Sequence, residues 1–406
     1  MSEWKEVSLS ELGKTITGKT PSSQYPEDFG DEVPFITPSD SFEKKYISRP
    51  ERYLSRLGSD RLKDKIISSD SIMVTCIGSA MGKVAKNSLP SVTNQQINSI
   101  IVNENFDSDY IYYLFKNNYA VFRNAASGST AIPILNKTDF DNLRFKVELD
   151  LNQQRKMVSI LSKIDDKIEI NNQINQELET MAKTLYDYWF VQFDFPDQNG
   201  KPYKSSGGKM VYHPELKREI PEGWGVENLF DIADVQYGYP FSTDYFNGTG
   251  EGVPVIRIRD ILGNDITNYS TEEVEDKYKI NVGDVLIGMD GNFHMNYWIK
   301  EDCYLNQRVV KVNSDKLPNM VLKYQIEPFI RLREKSVSRT TVGHLSDKDL
   351  KAINVILPKD KYLSSIFEKF EIILENIIIN QQQNQEVTQL RDWLLPMLMN
   401  GQVKVE

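Results

Sequence analysis

The chain has 406 residues, 40% of them hydrophobic and 26% charged, which is typical of a globular protein with two or three domains. Its two cysteines and three histidines are scattered without CxxC or HExxH spacing, which argues against a disulfide framework and a thiolate zinc site. No apolar run reaches the roughly 20 residues of a membrane span, and the N-terminus lacks a signal-peptide core. We therefore expect a cytoplasmic protein that does not enter membranes.

The first 150 residues predict a globular head built from short strands and turns. Strands are expected at 33–37, 71–77 and 97–102, where apolar and β-branched residues cluster between turn residues, and a short helix is expected at 109–117.

Residues 13–20, GKTITGKT, match the GxxxxGK[ST] pattern of a phosphate-binding loop. Such a loop needs a buried strand before it and a helix after it, but Pro21 and Pro26 disfavour a helix that starts at Lys19. The corresponding loop of the second half, which contains Gly238, has no Lys-Thr pair. The pattern therefore does not indicate an NTPase.

Charge is unevenly distributed along the chain. The net charge of −10 argues weakly against a nucleic-acid binder. Residues 44–65, however, contain eight basic and three acidic residues, a local net charge of 8 − 3 = +5. Either a solvated helix face or contact with phosphates explains this segment.

A long helix is expected at about 151–190, because apolar residues recur there at alternating steps of four and three, the spacing of a coiled-coil seam. Its seam comprises Met157, Leu161, Ile164, Ile168, Asn171, Asn175, Leu178, Ala182 and Leu185. Residues 194–223 follow and are rich in Gly, Pro and Ser, so a linker of exposed turns is expected there.

The second half of the chain repeats the first. Trp4, Gly18 and Asp40 match Trp224, Gly238 and Asp260 at a shift of 220 residues, and Asn94-Gln95 resembles Asn306-Gln307. Strands are expected at 253–258, 284–288 and 308–312, a short helix at 320–331, and a long helix at about 360–396. At a shift of 209 residues, the positions that correspond to the first seam are Ile366, Phe370, Ile373, Ile377, Asn380, Asn384, Val387, Arg391 and Leu394.

Two copies of one head and one helix favour a pseudo-twofold arrangement in which the helices pair antiparallel, because an unpaired seam would expose a large apolar stripe. The seam asparagines weaken this pairing but set its register. Neither a GxGxxG fingerprint nor a GxSxG elbow occurs, and Asp284 and Asp290 fit strand-end turns better than paired catalytic carboxylates. The sequence thus predicts two heads held apart by a helical spacer, without catalytic chemistry of its own.

Three segments resemble the specificity subunits of type I restriction–modification enzymes. Residues 151–196 resemble the central helical region of that family, the linker with NGKPY at 199–203 and IPEGW at 220–224 resembles the entry into its second target-recognition domain, and residues 390–405 resemble its C-terminal end.

The resemblance implies an α+β fold with two similar α/β target-recognition domains, separated by two long antiparallel coiled-coil helices. The expected boundaries are 1–150 for the first domain, 151–193 for the central helix, 194–223 for the linker, 224–358 for the second domain, and 359–406 for the C-terminal helix and tail.

The resemblance also implies a non-catalytic subunit that binds double-stranded DNA, with each domain reading one half of a bipartite target. The helices would set the gap and dock two methyltransferase subunits, and through them the restriction subunits. S-adenosylmethionine, ATP and magnesium would belong to those partners. The spacer residues are then Leu161, Ile164, Ile168, Asn171, Asn175, Leu178, Phe370, Ile373, Ile377, Asn380, Asn384 and Val387.

Candidate DNA-binding residues are polar, basic or aromatic residues, with one glycine, on the loops of the two heads, where arginine can bind guanine and asparagine or glutamine can bind adenine. In the first head they are Gly18, Lys19, Thr20, Thr37, Ser39, Asp40, Ser79, Asn94, Gln95, Ser127, Ser129 and Thr130. In the second head they are Tyr237, Tyr239, Arg257, Arg259, Asp260, Asn292, Asn306, Gln307, Arg308, Arg339, Thr340 and Thr341. Turn capping is the alternative role for each.

The alternative for the whole chain, motivated by its pI of about 5.1, is a coiled-coil scaffold that binds proteins instead of DNA.

Overall fold

The computed structural model describes residues 4–78, 80–126, 133–336, 343–358, 363–403 and 405. The chain divides into two compact units, Met1–Ile168 with Glu386–Glu406, and Glu169–Gln385. Both divisions fall inside the two long helices, because the core of each unit includes residues from both of them.

The first unit contains the first head, whose strands form two five-stranded sheets and one two-stranded ribbon. One sheet has the order β2-β11-β8-β9-β5, the other has the order β3-β6-β4-β10-β7, and β1 pairs antiparallel with β12. The strands are β1 Trp4–Ser8, β2 Gly13–Thr17, β3 Phe29–Gly30, β4 Val33–Ile36, β5 Tyr46–Ile47, β6 Arg52–Leu54, β7 Ile66–Ile67, β8 Ile72–Thr75, β9 Val84–Asn87, β10 Ser91–Thr93, β11 Ile97–Val102 and β12 Arg144–Glu148.

The described residues of this head also form short α-helices, namely α1 Leu9–Leu12, α2 Arg56–Arg61, α3 Ser108–Asn117, α4 Tyr119–Asn124 and α5 Lys137–Asp141. Helix α3 starts where it does because the Asp107 carboxylate accepts hydrogen bonds from the backbone N–H groups of Asp109 and Tyr110. Its aromatic face packs with Phe122 and Phe140 into the core that also receives Leu161 and Leu395 of the long helices.

The second unit repeats this architecture with two sheets, of order β16-β24-β21-β22 and β17-β19-β18-β23-β20, and two ribbons, β13-β14 and β15-β25. Its strands are β13 Met210–His213, β14 Arg218–Pro221, β15 Gly225–Asn228, β16 Asp234–Tyr237, β17 Phe246–Asn247, β18 Val253–Ile256, β19 Tyr269–Ser270, β20 Lys279–Ile280, β21 Val285–Gly288, β22 Met295–Tyr297, β23 Cys303–Leu305, β24 Val309–Asn313 and β25 Asn354–Leu357. Its short helices are α7 Leu229–Ile232, α8 Asn319–Ser336 and α9 Asp347–Lys351. The predicted strands and short helices of both heads are therefore confirmed, with ends that differ by a few residues.

Two helices of 36 residues each, α6 Leu151–Tyr186 and α10 Ser364–Met399, confirm the two predicted long helices, and we call them the central helix and the C-terminal helix. In the second unit, Asn171 and Asn175 of the central helix contact Asn384 and Asn380 of the C-terminal helix. In the first unit, the Arg391 guanidinium lies 2.9 Å from the Asp165 carboxylate. Low numbers on one helix meet high numbers on the other in each unit, so the pairing is antiparallel, as predicted.

The linker is not the string of exposed turns that its composition predicts, and that prediction was wrong for part of it. Residues 210–221 form the hairpin β13–β14, and Phe195 and Ile220 are buried in the core of the second unit beside Trp224. The Phe195 ring stacks on Trp224 with 4.9 Å between the ring centroids. Two apolar anchors thus tie a Gly- and Ser-rich segment to the core, because burial of large apolar side chains outweighs the turn preference of their neighbours.

Candidate nucleic-acid interface

Three loops of the first head meet beside the ends of strands β2, β4 and β10. The N–H of Gly18 donates to Ile97 O at 3.1 Å, and the N–H of Lys19 donates to Thr93 O at 2.8 Å. The N–H of Asn94 donates to Ile36 O at 3.0 Å. These bonds fix residues 18–20, 37–40 and 94–95 next to one another, although 75 positions separate Thr20 from Gln95 in the sequence.

Gly18 is required by the close approach of two of these loops. A Cβ atom at this position would lie 2.2 Å from the carbonyl oxygens of both Thr93 and Asn94, far inside the van der Waals limit. Gly18 therefore serves to bring the loop backbones together, and the side chains around it are the groups that can contact a ligand.

The polar side chains of this site divide into internal and outward ones. The Asp40 carboxylate is buried and accepts the N–H groups of Thr37 at 2.7 Å and Glu51 at 2.9 Å, so it shapes the turn. The buried Asn94 side chain bonds Gln96. Lys19, Ser39 and Gln95 are exposed. The outward set can contact phosphates and bases, while the internal set holds the loops.

The second head builds the same arrangement from different residues. The N–H of Gly238 donates to Val309 O at 3.0 Å, that of Tyr239 to Leu305 O at 2.9 Å, and that of Asn306 to Ile256 O at 3.1 Å. A Cβ atom on Gly238 would lie 2.0 Å from Asn306 O.

The buried aspartate of the turn recurs as well. Asp260 accepts the N–H of Arg257 at 2.8 Å and the hydroxyl of Thr267 at 2.8 Å. Asp260 therefore caps the second turn as Asp40 caps the first, and the internal repeat extends to individual hydrogen bonds.

The outward side chains of the second head are more basic and aromatic than those of the first. Arg259, Gln307 and Arg308 are exposed, as is Asn292 on a neighbouring loop, while Arg257 lies over the Phe246 ring at 4.4 Å. The Tyr239 hydroxyl donates to Glu272 at 2.9 Å, and this bond raises the pKa of the phenol. Burial and a bond to Asp347 raise the pKa of Tyr237. Both phenols therefore remain protonated donors at neutral pH.

Two further segments bond to these loops, and no motif in the sequence indicates them. In the first head the N–H of Cys76 donates to Gln96 O and the N–H of Leu135 to Cys76 O. In the second head Met289, Arg308 and Leu345 make the corresponding bonds. The candidates Ser79, Ser127, Ser129, Thr130, Arg339, Thr340 and Thr341 lie outside the described residues.

Several basic side chains of the segment 44–65 contact other residues of the head. Lys45 forms an ion pair with Asp109 at 2.8 Å, Arg61 pairs with Asp28 at 2.6 Å, and Arg52 lies 4.2 Å above the Phe29 ring. Arg49, Arg56 and Lys63 are exposed. A count of charges thus overstates the positive surface that this segment offers to phosphates.

The phosphate-loop pattern does not have the structure that nucleotide binding requires. Residues 13–17 form strand β2, an edge strand of its sheet, and residues 18–25 are extended or in turns, without a helix that could hold phosphate at its N-terminus. Within the described residues, no group of three or more His, Cys, Asp or Glu side chains could hold a metal ion. In the same part of the chain, no helix has the length and apolarity needed to cross a membrane.

Comparison with known proteins agrees with this duplicated architecture. The family model described as "Type I restriction modification DNA specificity domain" matches residues 1–180 and 221–389. The chain belongs to this family. Each match covers one head and a large part of the helix that follows it, so the family's unit is the unit that the chain repeats.

Individual relatives span the whole chain. The MjaIX specificity subunit of Methanocaldococcus jannaschii is 28% identical over 100% of this chain and 94% of its own length. The HindI specificity subunit of Haemophilus influenzae is 22% identical over 99% of this chain and 100% of its own length. A crystal structure of the S subunit from M. genitalium aligns with a TM-score of 0.58 at 16% identity, covering 98% of this chain and 96% of that one, and shows the same fold.

Membership of the family assigns the chain its general role. It is the DNA sequence-recognition subunit of a type I restriction–modification system and not one of the catalytic subunits. The scaffold alternative is not favoured.

Proposed function

We propose that each head reads one half of a bipartite duplex-DNA sequence through its cluster of loops. The observation that carries the proposal is the hydrogen-bond arrangement that recurs in the two heads around Gly18 and Gly238. One backbone frame presents Lys19, Ser39 and Gln95 in the first head and Arg257, Arg259 and Arg308 in the second. Different side chains on one frame would give two different half-sequences, because bases are distinguished by the donors and acceptors that reach their edges.

Within this proposal the candidate residues take different parts. Lys19, with the threonines and serines around it, would hold phosphates, while Gln95, Asn306, Gln307 and Arg308 would reach base edges. Asp40 and Asp260 would act indirectly, because their carboxylates already accept backbone N–H groups of their own turns.

The paired helices would serve as the spacer that fixes the unspecified gap between the two half-sequences. A helix of 36 residues is about 54 Å long at 1.5 Å per residue. The spacer residues named above, from Leu161 to Val387, are buried or half-buried, and the asparagine pairs hold one register. A fixed pairing of the two helices would then define a constant gap.

The helices would also dock the methyltransferase subunits. Both carry exposed apolar side chains in addition to the seam: Ile170, Ile174 and Met181 on the central helix, and Ile379, Leu390 and Trp393 on the C-terminal helix, each between 41% and 58% exposed. Ile170 and Met181 correspond to Ile379 and Leu390 at the repeat shift of 209. A surface that occurs twice offers two equivalent sites, which supports two methyltransferase subunits.

The partners would then supply the chemistry. S-adenosylmethionine would bind the methyltransferase subunits, and ATP and magnesium the restriction subunits that join through them. A cytoplasmic location follows from a function that needs access to chromosomal DNA and these partners.

Exchange of the first head tests the proposal. Residues 1–150 are replaced by the corresponding head of a relative whose target is known, and the target is determined in complex with the methyltransferase subunit. We expect one half-sequence to change and the other half and the gap to stay constant. A change in both halves would contradict independent readers, and loss of all sequence preference in an assembled complex would favour a protein-binding scaffold.

Extension of the spacer tests the second part. One heptad is duplicated in both helices, between residues 173 and 174 and between residues 381 and 382, positions that face each other at the level of the asparagine pairs. Seven residues add about 10 Å, which equals about three base pairs of gap. Duplication in the central helix alone is the control, because it breaks the pairing and should not give one longer gap.

A further inference from the structure

Two short backbone bridges occupy the same place in the two heads. Ile77 forms an antiparallel bridge with Ile134, and Asp290 forms one with His344. The surrounding bonds also agree: Cys76 N–H to Gln96 O at 2.7 Å corresponds to Met289 N–H to Arg308 O at 3.0 Å, and Leu135 N–H to Cys76 O at 2.9 Å corresponds to Leu345 N–H to Met289 O at 2.7 Å. The structure thus equates Ile77 with Asp290, Ile134 with His344, and Gln96 with Arg308.

We call these positions the bridge triplet: Ile77, Ile134 and Gln96 in the first head, and Asp290, His344 and Arg308 in the second. The triplet adjoins the loops of the candidate interface, because Gln96 and Arg308 belong to the loops that contain Asn94 and Asn306. The backbone is held constant there while the side chains change completely in character.

In the second head the triplet is polar and contains a carboxylate, an imidazole and a guanidinium. One oxygen of the Asp290 carboxylate lies 2.7 Å from His344 Nδ1, and the other lies 3.2 Å from Arg308 Nε. The side chains of Arg308 and His344 remain 52% and 48% exposed. Asp290 therefore pairs with the guanidinium through Nε, while half of the Arg308 side chain stays exposed.

In the first head the triplet is apolar on the bridge. Ile134 is 45% exposed beside Ile77, and Gln96 accepts a hydrogen bond from the Asn94 side chain at 3.0 Å. The exposed Ile134 side chain therefore offers an apolar contact point without a charge.

We propose that the bridge triplet determines specificity in each head, reading guanine through Arg308 in the second head and the methyl group of thymine through Ile134 in the first. The proposal rests on the proposed function that each head reads one half-sequence. Arginine binds the N7 and O6 acceptors of guanine bidentately, and apolar side chains contact the thymine methyl group. Asp290 is a positioning residue, because it fixes the guanidinium before DNA arrives and so reduces the entropy lost on binding.

The test transfers the first triplet into the second head. The variant D290I/R308Q/H344I and the unaltered chain, each in complex with the methyltransferase subunit, select from a random duplex-DNA library. We expect the first half-sequence and the gap to be unchanged, and a guanine at one position of the second half to be lost. Retention of the first half shows in the same experiment that the complex is folded and assembled.

Single substitutions separate reading from positioning. R308Q should lower affinity for the selected target about 5- to 150-fold, the range expected for one bidentate contact, and should relax preference at that one position. D290A should relax the same position more weakly, and D290A/R308Q should equal R308Q, because Asp290 acts through Arg308. R331Q, on an exposed arginine of α8 that pairs with Glu327, is the matched control and should change nothing.

The first head has its own test. I134A should reduce preference for thymine at one position of the first half-sequence and leave the second half-sequence intact, because the shorter side chain no longer reaches the thymine methyl group.

Two outcomes are decisive against the inference. The triplet would be only structural if the triple variant and R308Q both selected the same second half-sequence as the unaltered chain and bound it with the same affinity. A relaxation by D290A that adds to that of R308Q would remove the positioning role. Failure of the proposed function is distinguishable, because the unaltered chain would then select no split sequence at all.

Discussion

Asn171 donates a 2.8 Å hydrogen bond from Nδ2 to Oδ1 of Asn384 on the other long helix. Four residues further along the central helix, Asn175 accepts a 2.9 Å bond from Nδ2 of Asn380. In the repeat, Asn171 corresponds to Asn380 and Asn175 to Asn384. Each asparagine therefore pairs with the equivalent of the other, which is the pattern of an interface with twofold symmetry.

The asparagine pairs should set register more than they add stability. N171L should lower the free energy of unfolding by about 1–3 kcal/mol, because it removes one partner from a half-buried polar contact. Replacement of Asn171, Asn175, Asn380 and Asn384 by leucine should restore that stability or exceed it, but should spread the gap lengths selected from a DNA library.

Chemical denaturation and DNA selection check these expectations. N376L, at an exposed position of the C-terminal helix, is the control. A single sharp gap in the fourfold leucine variant would show that other contacts set the register.

The loop glycines should matter for one half of the target each. G18A places a methyl group 2.2 Å from two carbonyl oxygens, so the loops must separate, and readout of the first half-sequence should be lost while the second persists. G238A should do the reverse, since its Cβ would lie 2.0 Å from Asn306 O. G248A, where nothing lies within 4 Å of the added atom, should preserve both halves. Loss of the wrong half in either variant would contradict the assignment of heads to half-sequences.

Lys19 should contribute affinity without sequence preference. K19A should weaken DNA binding and reduce the slope of log K against log salt by about one, as expected for loss of one phosphate contact. K5A, at an exposed position of β1 outside the loops, is the control. An unchanged salt slope, or a changed half-sequence, would remove Lys19 from the phosphate-binding set.

Acid should weaken the first head through Asp109. Burial alone would raise the pKa of this carboxyl, but hydrogen bonds from Lys45 and Lys86 and their charges hold it below the ordinary 3.8. A folded-state pKa below the unfolded one contributes stability that is present above about pH 4 and is lost as the pH falls toward the folded value.

We expect the unfolding free energy of the natural chain to fall more steeply between about pH 5 and pH 3 than that of D109N. Urea denaturation at several pH values measures this, with D60N on the exposed Asp60 as control. Parallel curves for the natural chain and D109N would show that this cluster is not responsible for the acid response.

The features that sequence predicted are those with a local signal. The seam from Met157 to Leu185 has a heptad period that any window of the helix contains, and its second copy at a shift of 209 supports the same conclusion. Gly18 and Gly238 could be matched because the shift of 220 is constant over the first 40 residues of each copy. Helices, strands and the repeat followed from these periodicities.

What sequence did not predict depends on contacts between distant residues. Asp290 and His344 are 54 positions apart, and nothing near either residue indicates the other. The average composition of residues 194–223 gave no indication that two apolar residues of the linker, Phe195 and Ile220, are buried. The count of charged residues over 44–65 could not show that Lys45 forms an ion pair with Asp109. Contacts between distant residues decide each of these cases, and a count of residue types within a sequence window carries no information about such contacts.

The most direct test of the account is selection of DNA by the purified chain in complex with its methyltransferase partner, from a random duplex library followed by sequencing. We predict two short fixed blocks separated by a constant unspecified gap. Selection of one continuous block, or of no sequence by a complex shown to be assembled, would contradict the reading of DNA by two heads on a common spacer.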